Sequence, residues 1–329
     1  MIINLESASR VADITAIVLV GSGRPLGLLA RCLDSIDRQT VRVQEILVVL
    51  NGVGSSEEVK RLCDRYNANT LVLPEDLGCP EGRNAGARAA NKAVLFFVDD
   101  DGRLDVGAVA RVLTTMKNRP CAAVAGRVVE SEEDEYQNGS CPEQQPDPST
   151  SAHPTAYFSG GIFAIRREVF LRYGGYWKDS RRQGEELDLA LKLFKHGEVI
   201  LYDVGLILYH PIRPAAPSSS ISIANSASGT RAFCSHFPVP IAFAAYTWKL
   251  GRHAFWLRSR REPGILQLVS PITAAAKRGW SERVPMTLQQ AISFYQLAQS
   301  SPNIAATRFN LAGAIRAPFP RSLPPRSSQ

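Results

Sequence analysis

The stretch Ala93-Val94-Leu95-Phe96-Phe97-Val98-Asp99-Asp100-Asp101-Gly102 constrains this chain more than any other. Its near-continuous apolar run predicts a strand buried on both faces, as in a sheet layered by helices on each side. That run meets three adjacent carboxylates without an intervening turn residue. Ionised carboxylates side by side repel, and burying them unpaired is prohibitive, so the triplet is either fully solvated or gathered on a cation. A hard divalent ion that keeps waters and shares a nucleotide's phosphates suits carboxylates at the carboxyl end of a parallel strand. The alternative is an acidic turn that caps the next helix, since Asp105 precedes another apolar-periodic run.

Upstream, the β-branched run Ile14–Val20 ends in Gly21-Ser22-Gly23, and Arg24-Pro25 opens a segment with helical spacing at Leu26, Leu29, Ala30, Leu33 and Ile36. A dinucleotide site built on such a turn needs a carboxylate at the end of the second strand to hold the ribose. That strand, Glu45–Leu50, ends in Leu50-Asn51-Gly52, so hydride transfer is disfavoured. A polar helix is expected over Ser56–Tyr66, a strand over Thr70–Leu73, a loop over Pro74–Glu81 and an Ala-rich helix over Gly82–Ala90. Arg83 at the start of that helix is either placed to reach a phosphate or left on the surface.

Beyond the triplet, a helix is expected over Val106–Met116 and a strand over Cys121–Val129. Glu130–Thr155 is acidic, then Ser- and Pro-rich, and reads as a long loop or lid. A strand over Gly160–Ile165, a helix over Arg167–Tyr173 and a turn at Gly174-Gly175 follow. The second acidic cluster, Gly184-Glu185-Glu186-Leu187-Asp188-Leu189, opens a helix whose dipole those acids complement. Leu187, Leu191 and Phe194 form its apolar stripe, which Glu186 and Asp188 need not share. Two short strands, Val199–Leu201 and Leu206–Tyr209, lead to His210-Pro211, and a lone histidine there is more often structural than a ligand.

The charge is unevenly placed. Of 38 Lys and Arg, 14 fall from Pro211 onward, where the acids are Glu262 and Glu282. A basic tail on an acidic first part suggests attraction to an anionic surface. The aromatic and aliphatic residues of Val239–Leu257 suit a membrane interface better than nucleic acid, and no nucleic acid partner is expected. Lys249, Arg252 and His253 interrupt that stretch, so it is too short to span a bilayer. It either lies in a headgroup plane or packs on the main domain. The expected domains are 1–213, a linker over 214–230, a helical basic extension over 231–317 that includes an amphipathic helix at Met286–Ala298, and a disordered tail over 318–329. Six scattered cysteines without a CxxC pair, and no leader at the amino terminus, suggest reduced thiols in a cytoplasmic setting, peripheral on the inner membrane face.

Taken in order, these marks resemble the GT-A glycosyltransferases, in particular the inverting family 2 that includes bacterial rhamnosyltransferases. The similarity covers about residues 14–211: the strand into Gly21-Ser22-Gly23-Arg24-Pro25, Asn51-Gly52, Asp76-x-Gly78, Arg83-Asn84-x-Gly86, the acid triplet, Gly160-Gly161, Gly174-Gly175, Glu185-Glu186-x-Asp188-Leu189 and His210. The resemblance implies an α/β fold with a mixed, mostly parallel Rossmann-like sheet flanked by helices. It implies a nucleotide-diphosphate sugar donor, a glycan or lipid-linked acceptor, and a divalent Mn2+ or Mg2+ ion on Asp101 and His210. Donor contacts would come from Ser22, Asn51, Arg83, Asp99 and Asp100, and Glu186 would be the catalytic base. Glu186 stands where the family usually has Asp, which leaves Glu185 and Asp188 as substitutes. Gly21-Ser22 and Leu50 replace the family's usual base-reading residues, so thymidine or guanosine diphosphate sugars are as open as uridine. A GT-A domain that has lost catalysis and serves as an adaptor is the competing reading.

Overall fold

The computed structural model describes residues 11–131, 152–178, 185–211, 227, 229–244, 246–247 and 265–300. The chain divides into two compact units, Met1–Pro214 and Ala215–Gln329.

The first unit opens with β1 (Val11–Val20), α1 (Leu26–Asp37), β2 (Arg42–Asn51), α2 (Glu57–Arg65), β3 (Asn69–Leu73), α3 (Gly78–Ala89) and β4 (Val94–Asp99). It continues with β5 (Arg103–Leu104), α4 (Ala108–Asn118), β6 (Ala123–Ser131), β7 (Ala152–Pro154), β8 (Ile162–Arg166), α5 (Arg167–Arg172), α6 (Glu185–Lys195) and β9 (Ile200–Pro211). Among the described residues these nine strands form one sheet in the order β3-β2-β1-β4-β8-β6-β9-β5, with β7 on β9. Pairing is parallel from β3 to β4 and between β6 and β9, and antiparallel where β8 meets β4 and β6 and where β5 and β7 meet β9.

Both faces are covered, and the period of two in the strands shows how. From β1, Ile14, Ala16, Val18 and Val20 join Val94, Phe96 and Val98 of β4 in one core, against Leu29 and Leu33 of α1 and Val109 and Val112 of α4. Ile17, Leu95 and Phe97 point the other way, to a second core with Ala87 of α3, Phe170 of α5 and Leu189 and Leu193 of α6. Full burial of Phe96 and Phe97 stabilises by about 1.5–3 kcal/mol each. The chain leaves β1 toward β2 on one side, while β4 lies on the other. The carboxyl ends of β1 and β4 therefore form the sheet's switch point, and Leu19 pairs there with Asp99.

Several expectations shift. The loop expected over Pro74–Glu81 ends early, because α3 begins at Gly78. Pro80 fits its first turn, where a missing N–H breaks no helical bond. Residues 152–154 of the expected lid form β7, and Glu130 extends β6; 132–151 lie outside the described residues. The two short strands near the histidine are one strand, β9, with a bulge. Ala125 pairs with Tyr202 but Arg127 with Ile207, so β9 carries three extra residues around Asp203. Helix α6 buries far more than one stripe, including Glu185 and Asp188.

A fully buried ion pair closes the bulge. Arg111 of α4 donates from Nε to Asp203 Oδ2 at 2.9 Å and contacts Oδ1 through Nη2 at 2.8 Å. Thr115 Oγ1 and the Gly205 amide also donate to this carboxylate. Removing one partner of such a pair leaves the other charge in a low dielectric. Arg111→Met is expected to lose about 3–5 kcal/mol of stability, read as a drop in the urea unfolding midpoint.

In the second unit, residues 229–236 and 239–244 are helical, followed by α7 (Ile265–Ser281) and α8 (Leu288–Ser300). The end of the expected 214–230 linker is thus helical and buried at Thr230. Phe237 stacks on Phe233 at 4.7 Å and meets Phe294 edge-on at 6.0 Å, and Arg231 Nε donates to Glu282 at 3.1 Å. The aromatic stretch 248–257 and the tail 301–329 lie outside the described residues. Among the described residues no helix is long and apolar enough to cross a membrane.

Candidate active site

The triplet sits where the apolar core ends. After β4 the chain turns, with the Gly102 amide donating to the Asp99 carbonyl at 3.0 Å, and then pairs through Arg103 and Leu104 with Tyr209 and Leu208 of β9. That two-residue antiparallel ladder, with the Arg103 guanidinium over the Tyr209 ring at 4.6 Å, delivers His210 to Asp101. His210 Nε2 lies 3.1 Å from Asp101 Oδ1. Asp99, Asp101 and His210 can bring one ligand atom each within 4.8 Å of one another.

The donor chemistry fits a divalent cation. His210 Nδ1 lies 2.9 Å from the Pro211 carbonyl, which can only accept, so Nδ1 carries a proton. In the neutral ring, Nε2 then directs a lone pair toward Asp101 Oδ1, an arrangement that a shared cation or a second proton relieves. Metal-bound histidines are fixed in the same way, by an outer hydrogen bond from the other nitrogen.

Two arginines organise the surrounding acids. Arg83, expected at a helix start, lies inside α3 and is buried; it donates to Asp99 at 2.8 Å and reaches Glu185 at 3.6 Å. It therefore clamps carboxylates rather than opening to a phosphate from a helix terminus. Arg24, from the exposed loop after β1, donates from Nη1 to Asp101 Oδ2 at 2.8 Å, and its Nε lies 3.1 Å from Asp100 Oδ2. Ser22 is exposed on the same loop. Asn51 donates to Asp76 Oδ1 at 2.9 Å and to the Gly78 carbonyl at 3.2 Å, and accepts from the Leu77 amide at 2.9 Å. Both ends of its carboxamide are engaged in fastening the loop before α3, so a side-chain contact to a donor does not follow for Asn51.

The acids of α6 approach from across Arg83. Gly160 and Gly161 make this approach feasible: a Cβ at Gly160 would fall 2.6 Å from Arg83 Nη1, and one at Gly161 2.4 Å from Asp99 Oδ2. Any side chain there would push the clamp apart. Glu186 is half-buried, and burial raises its pKa against the opposing charge of Arg83 and a bond from the Gly160 amide. Glu185 is buried, and desolvation, then the Glu186 charge, push it to about 8, with Arg83 opposing. Asp188 is buried and paired with Lys192 at 2.8 Å.

Sequence reasoning missed two participants. Arg24 was legible only as part of the first loop, and its target lies 77 residues away. Tyr176 lies with its ring 5.9 Å from the Arg83 guanidinium and its buried hydroxyl has no hydrogen-bond partner among the described residues. Asn84 fixes it by donating to the Tyr176 carbonyl at 2.8 Å and accepting from its amide at 2.9 Å. The adjacent residues Arg83 and Asn84 thus serve the acids and the Tyr176 backbone respectively.

Residues 24–174 match the sequence profile described as Glycosyl transferase family 2. A curated relative, the glucosyl-dolichyl phosphate glucuronosyltransferase of Haloferax volcanii, is 26% identical over 192 residues, 52% of this chain and 60% of its own length. The fold is similar to a crystal structure of GalNAc-T7 with UDP, GalNAc and Mn2+, with a TM-score of 0.59, 16% identity, and coverage of 88% of this chain and 58% of that one. It is also similar to S. aureus TarS 1–349 in complex with UDP-GlcNAc, with a TM-score of 0.50, 14% identity, and coverage of 67% and 66%. The chain spans less than two thirds of the length of each of these proteins. Residues 24–174 thus carry the family 2 glycosyltransferase profile, and the sheet that holds them has the GT-A fold of these structures.

Proposed function

We propose that this chain is a metal-dependent glycosyltransferase that moves a sugar from a nucleoside-diphosphate donor to an acceptor hydroxyl with inversion. The observation that carries the reading is the convergence of Asp99, Asp101 and His210 with the Glu185-Glu186 pair around Arg83, at the switch point of the sheet. A divalent ion on Asp99, Asp101 and His210 would supply the Lewis acidity that a leaving diphosphate needs. Mn2+ in the GalNAc-T7 structure and UDP-sugar in the TarS structure support the donor class.

The residues of this chain divide the rest of the work. Glu186 takes the proton of the acceptor hydroxyl on a carboxylate oxygen as the oxygen bonds to the anomeric carbon and the bond to the diphosphate breaks in line. Glu186 suits this better than its neighbours, because Asp188 is held by Lys192 and Glu185 is buried beside Arg83. Raised basicity helps a base remove a hydroxyl proton. Ser22, Asp99 and Asp100 are assigned to the donor. The name of the Haloferax volcanii relative supports a lipid-linked acceptor, and the basic surplus after Pro211 supports peripheral contact with an anionic membrane.

A thermal-shift screen of nucleoside-diphosphate sugars with Mn2+ or Mg2+ tests this. The matching donor is expected to stabilise the full chain by about 2.7 kcal/mol at a hundredfold excess over its Kd, and chelator is expected to remove the shift. No response to any donor under any metal condition would favour a domain that has lost catalysis and serves as an adaptor.

A further inference from the structure

The two arginines of the site are not equivalent. Arg83 is locked on α3, with a side chain 8% exposed, between Asp99 and Glu185. Arg24 reaches in from the solvent side: residues 22–25 are exposed, Gly23 has φ +77°, and a third of the Arg24 side chain is open. Its guanidinium nevertheless ends on two carboxylates that are almost fully buried, 3.1 Å from Asp100 and 2.8 Å from Asp101. Asp101 Oδ2 faces Arg24 while Asp101 Oδ1 faces His210. A fixed positive charge thus lies on the carboxylate that a divalent ion would also need.

We infer that Arg24 is an exchangeable cation of this site. It neutralises Asp100 and Asp101 in the metal-free protein and gives way at Asp101 when a divalent ion binds, which leaves its guanidinium beside the incoming diphosphate. This rests on the metal-dependent transferase reading and deepens it. The physical basis is charge. Two cations cannot share one carboxylate without repulsion, and a guanidinium fork suits the two oxygens of a phosphate as well as those of a carboxylate. The loop needs only to rotate a long side chain, since Arg24 has an open path to solvent. Arg24 would then link metal entry to donor capture: the ion releases the group that the diphosphate needs.

The test is calorimetric titration of the full chain with Mn2+ alone, then with inorganic pyrophosphate at saturating Mn2+, for the parent, Arg24→Met and Arg24→Lys. Arg24→Met is expected to bind Mn2+ alone at least roughly tenfold more tightly, because the screened repulsion between the divalent ion and one like charge is removed. It is expected to bind pyrophosphate roughly tenfold more weakly, as the loss of a charge-assisted bond implies. Arg24→Lys, which keeps the charge but not the fork, should fall between on both counts. Melting without metal checks folding, and added Mn2+ should raise the melting temperature more in Arg24→Met than in the parent. Unchanged or weaker Mn2+ binding in Arg24→Met overturns the exchange while leaving the transferase reading intact. Absence of Mn2+ binding by the parent overturns both.

Discussion

Asp101→Asn is expected to cut sugar transfer by about 10²–10³-fold, the range seen when one element of electrostatic stabilisation is removed from an active site, and to abolish its dependence on Mn2+. The substitution keeps size and polarity but removes the charge that His210 and Arg24 both face at 3.1 and 2.8 Å. Two readouts separate site from scaffold. Transfer should become insensitive to chelator, and Mn2+ affinity should fall by a comparable factor, while metal-free unfolding should change little. Retention of a full chelator-sensitive rate in Asp101→Asn would remove the acid triplet from the chemistry.

The second large effect belongs to α6. Glu186→Gln is expected to lower kcat by about 10²–10⁴-fold, the usual contribution of a positioned general base, with donor affinity unchanged, since the donor contacts proposed above lie on the loop after β1 and on the triplet. The pH profile gives the sign. Burial raises the pKa of Glu186, so the proposed base stays protonated to a higher pH than an ordinary glutamate would. Activity should therefore rise with pH on the acid limb, and Glu186→Gln should flatten that limb. Glu185 supplies the control. Its folded value of about 8 lies above its unfolded one, so the stability it adds is complete below pH about 4.5 and is lost as pH rises through about 8. Glu185→Gln should flatten the stability profile over that window, whereas Glu186→Gln should move the rate. If Glu185→Gln, rather than Glu186→Gln, abolished kcat, the base assignment would pass to Glu185.

The sequence disclosed the sheet better than the charge network. Strand β4 was legible because its apolar run has no polar face, and both cores claim alternate residues of it. The start of α3 was not, because Gly78-Cys79-Pro80-Glu81 has the composition of a turn; nothing local shows that Asn51, from β2, ties down the residues before it. The single strand β9 looks like two in the sequence because Asp203-Val204-Gly205 has the composition of a break. Its continuity comes from Arg111, 92 residues earlier. Arg83 and Arg24 could each be seen as cations near a glycine-rich segment. Which acids they meet depends on strand order, and neighbouring residues do not encode that order.

The bulge in β9 makes segment length, more than residue identity, the condition for assembling this centre. Side chains alternate along a strand, so shortening the run between Tyr202 and Ile207 by one residue while β9 keeps its pairing before the bulge would carry Pro211, instead of the imidazole, to the position beside Asp101. Two substitutions that each preserve chemistry would be tolerated there more readily than a single codon lost.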